Sequence, residues 1–381
     1  MSSVSQLKQY TRNLRVAVVH DWVFVRRGGE RVLEQILNLF PNADLYCLLG
    51  KPENILKTQN NHKITTSFLN KLPAVEKYYK ILLPYFPIAT ESFNLNEYDL
   101  VISSSSCAAK GVIPPPKAKH ICYIHSPMRY AWDQEHNYFP KPISLLSPKE
   151  IIRRKLLSKL RIWDITSTAR TDLIVANSHF VARRCELYYR RTAQVVHPSV
   201  ELDRFLTLPP QKRESRILLF GAWVPYKKMY EAVETCVKLG IAVTAAGQGP
   251  DLERVAQNFS KNQLVRIEKN PTDEQVAQFY STHKALLFPA LEDFGIVPLE
   301  AMASGCWVVA PQQGGTGETV IHGKTGTLFE LGDATSLENA LRKALECEVD
   351  AEQLKLHAQS YSHAHFAEDF ADRILTLLEK G

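Results

Sequence analysis

The chain has 381 residues, more than one typical hydrophobic core organises, so we expect two domains of ordinary size. A composition with 45% hydrophobic and 23% charged residues is typical of a folded soluble protein. The net charge of +6 is a small basic surplus that suits anionic small molecules, and without a dense Lys/Arg stripe it argues against a nucleic-acid partner.

The seven cysteines stand singly, without C-x-x-C spacing, which argues against a zinc ribbon or a disulfide framework and favours a reducing cytoplasm. The N-terminal stretch "MSSVSQLKQYTRN" lacks the apolar segment of a signal peptide, and no apolar run reaches the roughly 18 residues of a membrane span. We therefore expect a cytoplasmic protein.

Short apolar runs alternate with amphipathic helical stretches along the chain, a pattern that predicts parallel sheets covered by helices. In the first half the predicted strands are 15–20, 43–49, 98–104, 120–125, 172–178 and 193–198. In the second half the series starts again at 215–223, followed by 241–247, 264–270, 284–290 and 306–312. The fold class is therefore α/β, with two doubly wound Rossmann-like domains.

The polar, proline-bearing segment 198–215 separates the two series and is interpreted as a linker. The predicted domains are residues 1–198 and 199–360, and the last helical stretch, 361–381, is predicted to pack back on the first domain without a further strand. Ligands of parallel sheets bind beyond the carboxyl ends of the strands, so two such domains facing each other would place a site in the cleft between them.

The stretch "EDFGIVPLEAMASG", 292–305, follows one of these strands and predicts a loop that enters a helix near Val297 or Pro298. Backbone N–H groups from Phe294 through Val297, a span that includes Gly295 and Ile296, would then meet at a helix N-terminus that attracts an anion. Gly295 lets a ligand approach the backbone closely.

Two carboxylates beside an anion site have a role of their own if they accept hydrogen bonds from vicinal diols, as in a ribose or a sugar ring. Glu292 and Glu300 would supply them, which points to a sugar-nucleotide pocket. The alternative is a solvated loop residue and a favourable charge in the first turn of a helix.

This stretch resembles the E-x7-E motif of the retaining glycosyltransferases of group 1 (family 4), which have the two-domain GT-B fold. The likeness extends to "HDWVFVRRGGERVLEQI", "HICYIHSPMRYAWD", "FGAWVPYKKMYEAVE" and "GGTGETVIHGKTGTLF", and is strongest to mannosyltransferase-like enzymes of bacterial surface polysaccharide synthesis. It implies an acceptor-binding N-terminal domain and a C-terminal domain that binds the nucleotide sugar.

The resemblance also implies roles for single residues. Lys227 matches the family lysine that meets the diphosphate, with Lys228 beside it, although Gly221-Ala222 stands where the family generally has Gly-Arg. The Gly28-Gly29 loop would lie beside the transferred sugar and its phosphate, and His125 would contact that sugar.

Further residues also have expected positions. We expect Arg129 and Asp133 near the acceptor, and Glu318 either near the donor or as a helix cap. His357, His363 and His365 have poor metal-ligand spacing and are expected at the surface. Since the chain has no D-x-D, we expect no metal and no cofactor, with lysines and helix N-termini holding the diphosphate.

The stretch 147–165 carries apolar residues at helical spacing among basic ones, so it predicts either a peripheral helix on an anionic membrane or a core-packing helix with a basic outer face.

We therefore expect a metal-independent, retaining hexosyltransferase that uses a nucleotide diphosphate sugar, GDP-mannose above others, and a saccharide or lipid-linked saccharide acceptor. The catalytic residues would be His125, Lys227 and Glu292. Two alternatives stay open: a catalytically inactive sugar-nucleotide or glycan-binding protein, kept alive by Ala222, and an NAD-dependent oxidoreductase. The second is disfavoured because "GQGPDLE" lacks the third glycine of the dinucleotide fingerprint.

Overall fold

A computed structural model describes residues 1–58, 62–139, 147–209 and 211–379. The chain divides into two compact units: unit 1 comprises residues 1–199 and 364–381, and unit 2 comprises residues 200–363. Each unit is built around one parallel sheet, and the predicted fold class is confirmed.

Unit 1 contains a seven-stranded sheet in the order β3-β2-β1-β4-β5-β6-β7. Its strands are β1 (Val16–Val23), β2 (Asp44–Gly50), β3 (Ile64–Thr66), β4 (Leu100–Ser105), β5 (Lys119–Ile124), β6 (Leu173–Ala176) and β7 (Gln194–Val195). β1, β4 and β5 lie at the centre and are buried almost throughout, as expected for strands covered on both faces by helices.

The helices of unit 1 cover both faces of this sheet. They are α1 (Ser3–Tyr10), α2 (Gly28–Leu39), α3 (Pro52–Ile55), α4 (Phe86–Glu91), α5 (Glu135–Tyr138), α6 (Pro148–Thr168) and α7 (His179–Tyr189), with 3-10 turns at Thr11–Asn13, Phe68–Lys71, Val75–Lys77, Tyr79–Tyr85 and Ala109–Gly111. The last helix of the chain, α16 (His363–Glu379), also packs here: Phe366 and Phe370 lie against Tyr123 of β5, with ring centroids 5.8 and 5.7 Å from it.

Unit 2 contains a six-stranded sheet in the order β10-β9-β8-β11-β12-β13. Its strands are β8 (Glu214–Ala222), β9 (Val243–Gln248), β10 (Val265–Lys269), β11 (His283–Leu287), β12 (Trp307–Pro311) and β13 (Gly326–Phe329). Its helices are α8 (Asp203–Leu206), α9 (Met229–Lys238), α10 (Pro250–Phe259), α11 (Asp273–Thr282), α12 (Ile296–Ala303), α13 (Thr316–Thr319), α14 (Ala334–Glu346) and α15 (Ala351–Gln359), with a 3-10 turn at Pro225–Lys227.

The segment predicted as a linker is largely part of unit 2, which corrects the sequence interpretation. Val200 and Leu202 are nearly inaccessible and Phe205 is fully buried, all three in the core of that unit. These apolar positions anchor the segment to the second sheet. Two edge strands, β3 and β13, were also missed.

No helix in the described part of the chain is long and apolar enough to cross a membrane.

Candidate functional site

The carboxyl edge of the unit 2 sheet concentrates left-handed backbone. Residues with positive φ end or follow five of its strands: Gly221 (β8), Gly247 (β9), Asn270 (β10), Gly295 (β11) and Gly314 (β12). Such conformations cluster at ligand sites, because they let backbone groups approach a bound molecule, and this edge is where parallel sheets bind ligands.

The loop after β11 enters α12 at Ile296, with Gly295 as the N-cap at φ 93°. A Cβ on Gly295 would lie 2.6 Å from Cγ2 of Thr316, so the position is restricted to glycine by both conformation and space. The N–H groups of Gly295, Ile296 and Val297 belong to the helix N-terminus, where the positive end of the dipole lies. Phe294 faces inward, its ring 5.8 Å from that of Tyr361.

The glycine-rich stretch after β12 packs against this loop. The N–H of Gly315 donates to the carbonyl of Glu292 at 2.9 Å. A Cβ on Gly315 would lie 2.3 Å from the carbonyl oxygen of Asp293, and one on Gly314 would lie 2.8 Å from that of Glu292. The two backbones are therefore in direct contact, which explains why glycines occupy both positions and fixes the strand-to-helix loop that carries Glu292.

Lys227 and Glu292, which are distant in sequence, form an ion pair with Nζ 3.0 Å from Oε1. Lys227 ends the 3-10 turn that follows β8, while Glu292 follows β11, the neighbouring strand in the sheet. The two side chains are 15% and 17% exposed, so the pair is shielded yet open to a ligand. The cationic Nζ also lies 5.9 Å from the ring centroid of Phe288.

Lys228 is exposed and adopts the left-handed conformation, with φ 52° and ψ 30°, at the N-cap of α9. This conformation costs a residue with a Cβ about 1–2 kcal/mol. Ala222, at the exposed end of β8, presents only a methyl group where the resemblance would place a guanidinium.

Glu300 is the fifth of the eight residues of α12, one turn beyond the predicted first turn, and is only 6% exposed. The hydroxyl of Tyr280 donates to its Oε2 at 3.4 Å, and Nη2 of Arg204 lies 4.0 Å from its Oε1. Burial, followed by the Glu300 charge, raises the pKa of Tyr280 well above its ordinary value, so Tyr280 stays a donor.

Arg204 was not predicted as a site residue. It belongs to α8, within the segment interpreted as a linker, and it also pairs with Asp273 at 2.6 Å. Only the buried Phe205 beside it could have indicated that this arginine is held against the second sheet.

Glu318 lies in the first turn of α13, near Tyr361: burial, then the Glu318 charge, raises the pKa of Tyr361 to about 12. His357 donates from Nε2 to the carbonyl of Thr319 at 2.7 Å and contacts Tyr361 edge-on at 5.6 Å. His357 therefore braces α15 against α13. The described residues contain no group of three His, Cys, Asp or Glu side chains that could hold a metal ion.

In unit 1, Gly28 and Gly29 open α2 directly after the loop that follows β1. The N–H of Arg27 donates to the Glu30 carboxylate at 2.9 Å and fixes the start of this helix. A Cβ on Gly29 would lie 3.9 Å from Cε1 and Nε2 of His125, so the glycine loop and the histidine, separate in sequence, are neighbours.

The imidazole of His125 is bonded through Nε2 to Oγ of Ser104 at 2.8 Å. The same Oγ lies 3.1 Å from Nδ1 of His20. Burial, then the neighbouring His20, lowers the pKa of His125 to about 3, so this imidazole is neutral at physiological pH. Neither Ser104 nor His20 was predicted, although His20 ends its predicted strand just as His125 does.

Asp133 of the expected acceptor region is held by a buried partner: its Oδ1 lies 2.6 Å from Nη2 of Arg184. Nη1 of Arg184 also donates to Oγ of Ser126, at 3.1 Å, next to His125 in sequence. Arg129 accepts the N–H of Gln134 on its carbonyl at 2.9 Å, within the turn that leads to α5. An acceptor role for Arg129 and Asp133 stays a prediction.

Residues 208–361 match the family model of the group 1 glycosyl transferases. Among curated proteins, human alpha-1,3/1,6-mannosyltransferase ALG2 is 25% identical over 237 residues, covering 53% of this chain and 57% of that protein. The GDP-mannose-dependent alpha-(1-6)-phosphatidylinositol monomannoside mannosyltransferase of Mycolicibacterium smegmatis is 25% identical over 244 residues, covering 54% and 63%. The chain thus spans about half the length of such relatives.

Among solved structures, Anabaena HepE in complex with UDP and glucose superposes with a TM-score of 0.66 at 15% identity, covering 95% of this chain and 99% of that one. The superposition covers both units, so each of them has the fold of the corresponding part of that structure. Residues 208–361, which lie within unit 2, therefore resemble the group 1 glycosyl transferases, and the fold of both units is that of the GT-B structures.

Proposed function

We propose that this protein is a retaining glycosyltransferase that moves a hexose from a nucleotide diphosphate sugar to a saccharide hydroxyl. The observation that carries the proposal is the pairing of Lys227 with Glu292 beside the N-terminus of α12. This arrangement offers a cation and backbone N–H groups to a diphosphate, and a carboxylate to sugar hydroxyls.

In the proposed reaction the bond between the anomeric carbon and the diphosphate oxygen breaks, a bond to the acceptor oxygen forms, and the hydroxyl proton is released. Negative charge grows on the leaving diphosphate, and Lys227 with the α12 N–H groups stabilises it without needing to reorganise. In this proposal Glu300, which contacts Tyr280 and Arg204, accepts hydrogen bonds from a ribose diol. Retention of configuration rests on the family resemblance.

GDP-mannose is the favoured donor, because the mannosyltransferases among the relatives include one that is GDP-mannose-dependent. UDP-glucose is the competing donor. Calorimetric titration with GDP, UDP and NAD, followed by turnover assays with GDP-mannose and UDP-glucose in the presence of EDTA, tests the proposal. We expect GDP binding and EDTA-resistant turnover; NAD binding alone would contradict it, and nucleotide binding without turnover would favour an inactive binding protein.

Variants at the ion pair sharpen this test. Lys227→Ala should lower turnover by about a hundredfold, in the range seen when one donor to developing charge is removed. Lys238→Ala, at the other end of α9, is the matched control and should behave as the wild type. Glu292→Gln should lower turnover while GDP binds at least as tightly, since Lys227 loses its carboxylate partner.

We also propose that unit 1 rests on an anionic membrane through α6, as a lipid-linked acceptor would require. Leu157 and Leu160 face the core, whereas Ile151, Ile152 and Ile162 are 50%, 59% and 61% exposed. Lys155 and Lys159 lie among these isoleucines on the exposed side of the helix. Within the described ranges neither lysine forms an ion pair, so both ammonium groups are available to lipid phosphates while their stems cover apolar surface.

Further exposed apolar side chains lie on segments that pack against this helix. Trp163 of α6 donates to Glu91 of α4 at 2.8 Å, and its ring packs against Gly111. On these neighbouring segments Ile88 is 61% and Ile113 is 52% exposed. Singly exposed apolar residues are common, but a group carried by three packed segments is typical of a lipid-facing surface.

Sedimentation with vesicles tests this surface. We expect binding to vesicles of phosphatidylcholine with 30% phosphatidylglycerol (about one anionic lipid in three, enough to attract lysines) and little binding to phosphatidylcholine alone. Ile152→Asp with Ile162→Asp should release the protein, whereas Leu356→Asp, which replaces an equally exposed leucine of unit 2, should not. Equal binding by all three proteins would contradict the assignment.

A further inference from the structure

Arg204 of α8 lies between two carboxylates of unit 2 and contacts them differently. Its Nη1 is 2.6 Å from Oδ2 of Asp273, the first residue of α11, which is the length of a hydrogen bond. Its Nη2 is 4.0 Å from Oε1 of Glu300 in α12, which is too long for one. The guanidinium is therefore bonded to Asp273 and lies beside Glu300 without a direct bond between these atoms.

The exposure of the two carboxylates would favour the opposite choice of partner. The side chain of Asp273 is 75% exposed, whereas that of Glu300 is 8% exposed. Water screens an ion pair at an exposed carboxylate, while a carboxylate removed from water attracts a cation more strongly. On charge alone Arg204 would close on Glu300, so its distance from Glu300 requires a restraint, and the bond to Asp273 supplies one.

The neighbours of Arg204 explain how a bond to an exposed residue can restrain it. Its guanidinium carbon lies 4.5 Å from the ring centroid of Phe205, which is fully buried and contacts the ring of Tyr280 at 5.6 Å. Nε of Arg204 is buried and has no hydrogen-bond partner within the described part of the chain. The inner part of the side chain is thus packed in place, and Asp273 and Glu300 compete for the two terminal nitrogens.

The 4.0 Å separation affects what Glu300 can bind. At this distance Arg204 supplies the positive charge that a carboxylate removed from water needs, without using Oε1 as a hydrogen-bond acceptor. A direct pair with the guanidinium would be a charge-assisted bond, which is roughly twice as strong as a bond between neutral groups. A sugar hydroxyl, which is neutral, would have to compete with that pair, so Glu300 accepts hydroxyl groups best while Arg204 is held away.

We propose that Asp273 and Arg204 are positioning residues of the nucleotide site: Asp273 holds Arg204 away from Glu300, so that Glu300 accepts hydrogen bonds from the ribose diol. The contact with ribose rests on the proposed function, whereas the restraint is a property of the ligand-free protein. All three side chains belong to unit 2.

Crystal structures of the full chain without ligand test the restraint directly. In Asp273→Ala the distance between Nη2 of Arg204 and Oε1 of Glu300 should fall from 4.0 Å to about 2.8 Å, the length of a charge-assisted hydrogen bond. The matched control is Glu274→Ala, which removes the adjacent exposed carboxylate from the same first turn of α11 and should leave the distance unchanged. An Arg204 that keeps its position in Asp273→Ala would overturn the proposal, whatever the activity of the protein.

Calorimetry tests the effect on binding, with the diphosphate that binds the wild type, GDP or UDP, and its 2′,3′-dideoxy analogue, which lacks the diol. Asp273→Ala should raise the dissociation constant of the diphosphate by about fivefold, the equivalent of one hydrogen bond, and leave that of the analogue unchanged. Glu274→Ala should change neither constant. A substitution that only loosened unit 2 would weaken both ligands, so equal losses in Asp273→Ala would overturn the positioning role.

A second substitution separates the restraint from the loss of a surface charge. Arg204→Met removes the guanidinium and keeps an apolar side chain against Phe205. In this background Asp273→Ala should no longer change the affinity for the diphosphate, because no guanidinium is left to restrain. The same fivefold loss in the background of Arg204→Met would show that Asp273 acts without Arg204 and would overturn the proposal.

The proposed function has a separate readout. It fails if neither GDP nor UDP binds the wild type and neither nucleotide sugar turns over, and the ligand-free crystal structures still decide whether Asp273 restrains Arg204. Equal affinity of the wild type for the diphosphate and its dideoxy analogue would refute the ribose contact of Glu300, and with it the positioning role.

Discussion

Replacement of Lys228 by glycine should stabilise unit 2 and weaken nucleotide binding at the same time. The left-handed conformation costs lysine about 1–2 kcal/mol, and glycine removes this strain. Glycine also gives the unfolded chain more freedom, which costs about 0.5–1 kcal/mol. The net expectation is a free energy of unfolding that rises by about 0.5–1 kcal/mol.

Lys228→Ala separates the two effects, because alanine removes the charge but keeps the strain. Both variants should raise the GDP dissociation constant by a similar factor, up to about fivefold for an exposed lysine, while only Lys228→Gly becomes more stable. Urea unfolding of a protein in which Trp22, Trp132 and Trp163 of unit 1 are replaced by phenylalanine, followed by the fluorescence of the buried Trp223 and Trp307, measures the stability of unit 2.

The matched control is Arg190→Gly, since Arg190 ends α7 of unit 1 at φ 54°. It should stabilise unit 1 and leave GDP affinity unchanged. The reasoning is refuted if Lys228→Gly and Lys228→Ala unfold at the same urea concentration, or if glycine destabilises unit 2.

Three further expectations concern the site and its support. Glu300→Gln should lower GDP affinity by about tenfold in calorimetry, since a charged acceptor is lost, and an affinity within twofold of wild type would contradict the diol role. Gly315→Ala, whose Cβ would lie 2.3 Å from a carbonyl oxygen, should lower the free energy of unfolding of unit 2 by about 1–3 kcal/mol, whereas Gly29→Ala, with its nearest atoms at 3.9 Å, should fold normally. Burial lowers the pKa of His120 to about 4 and of His125 to about 3, so below pH 6.5 the unfolded chain binds protons that the folded unit 1 does not. Unit 1 should therefore lose stability as the pH falls from 6.5 towards 4, by up to roughly 2.7 kcal/mol per pH unit for two histidines at about 1.36 each, and urea-unfolding free energies that stay flat between pH 7 and 5 would contradict this.

The central strands could be predicted from the sequence because burial on both faces makes them continuous apolar runs, as in β1 and β12. The missed strands lie at sheet edges. β3 has three half-buried residues, and β13 follows a glycine-rich turn, so neither carries a run long enough to be distinguished from a loop. The prediction of a linker at 198–215 was wrong because prolines and polar residues are typical of linkers, whereas Val200, Leu202 and Phe205 are buried in the core of unit 2.

The proximity of Lys227 and Glu292 could be predicted from the sequence, since both residues follow predicted strands and match a family motif. The contacts of Glu300 with Arg204 and of His125 with Ser104 could not be predicted from the sequence. Ser104 and His20 stand 84 positions apart and meet only because β1 and β4 pair in one particular register. Parallel pairing is non-local, and neither spacing nor periodicity encodes the register between two apolar runs.

The two units have one feature in common: a polar side chain in or just after a central strand is held by a partner from the segment that follows the neighbouring strand. In unit 1, Asp21 illustrates it most fully, because its carboxylate accepts four backbone N–H groups from residues 106–109, at 2.6 to 2.9 Å, and so fixes the loop after β4. In unit 2, Lys227 and Glu292 hold each other across β8 and β11. Groups fixed in this way lose little conformational entropy when a ligand binds, so most of their interaction energy remains available to the transition state. Lys228, exposed and strained, is the contrasting case, and this is why its removal should affect affinity only modestly while that of Lys227 affects turnover.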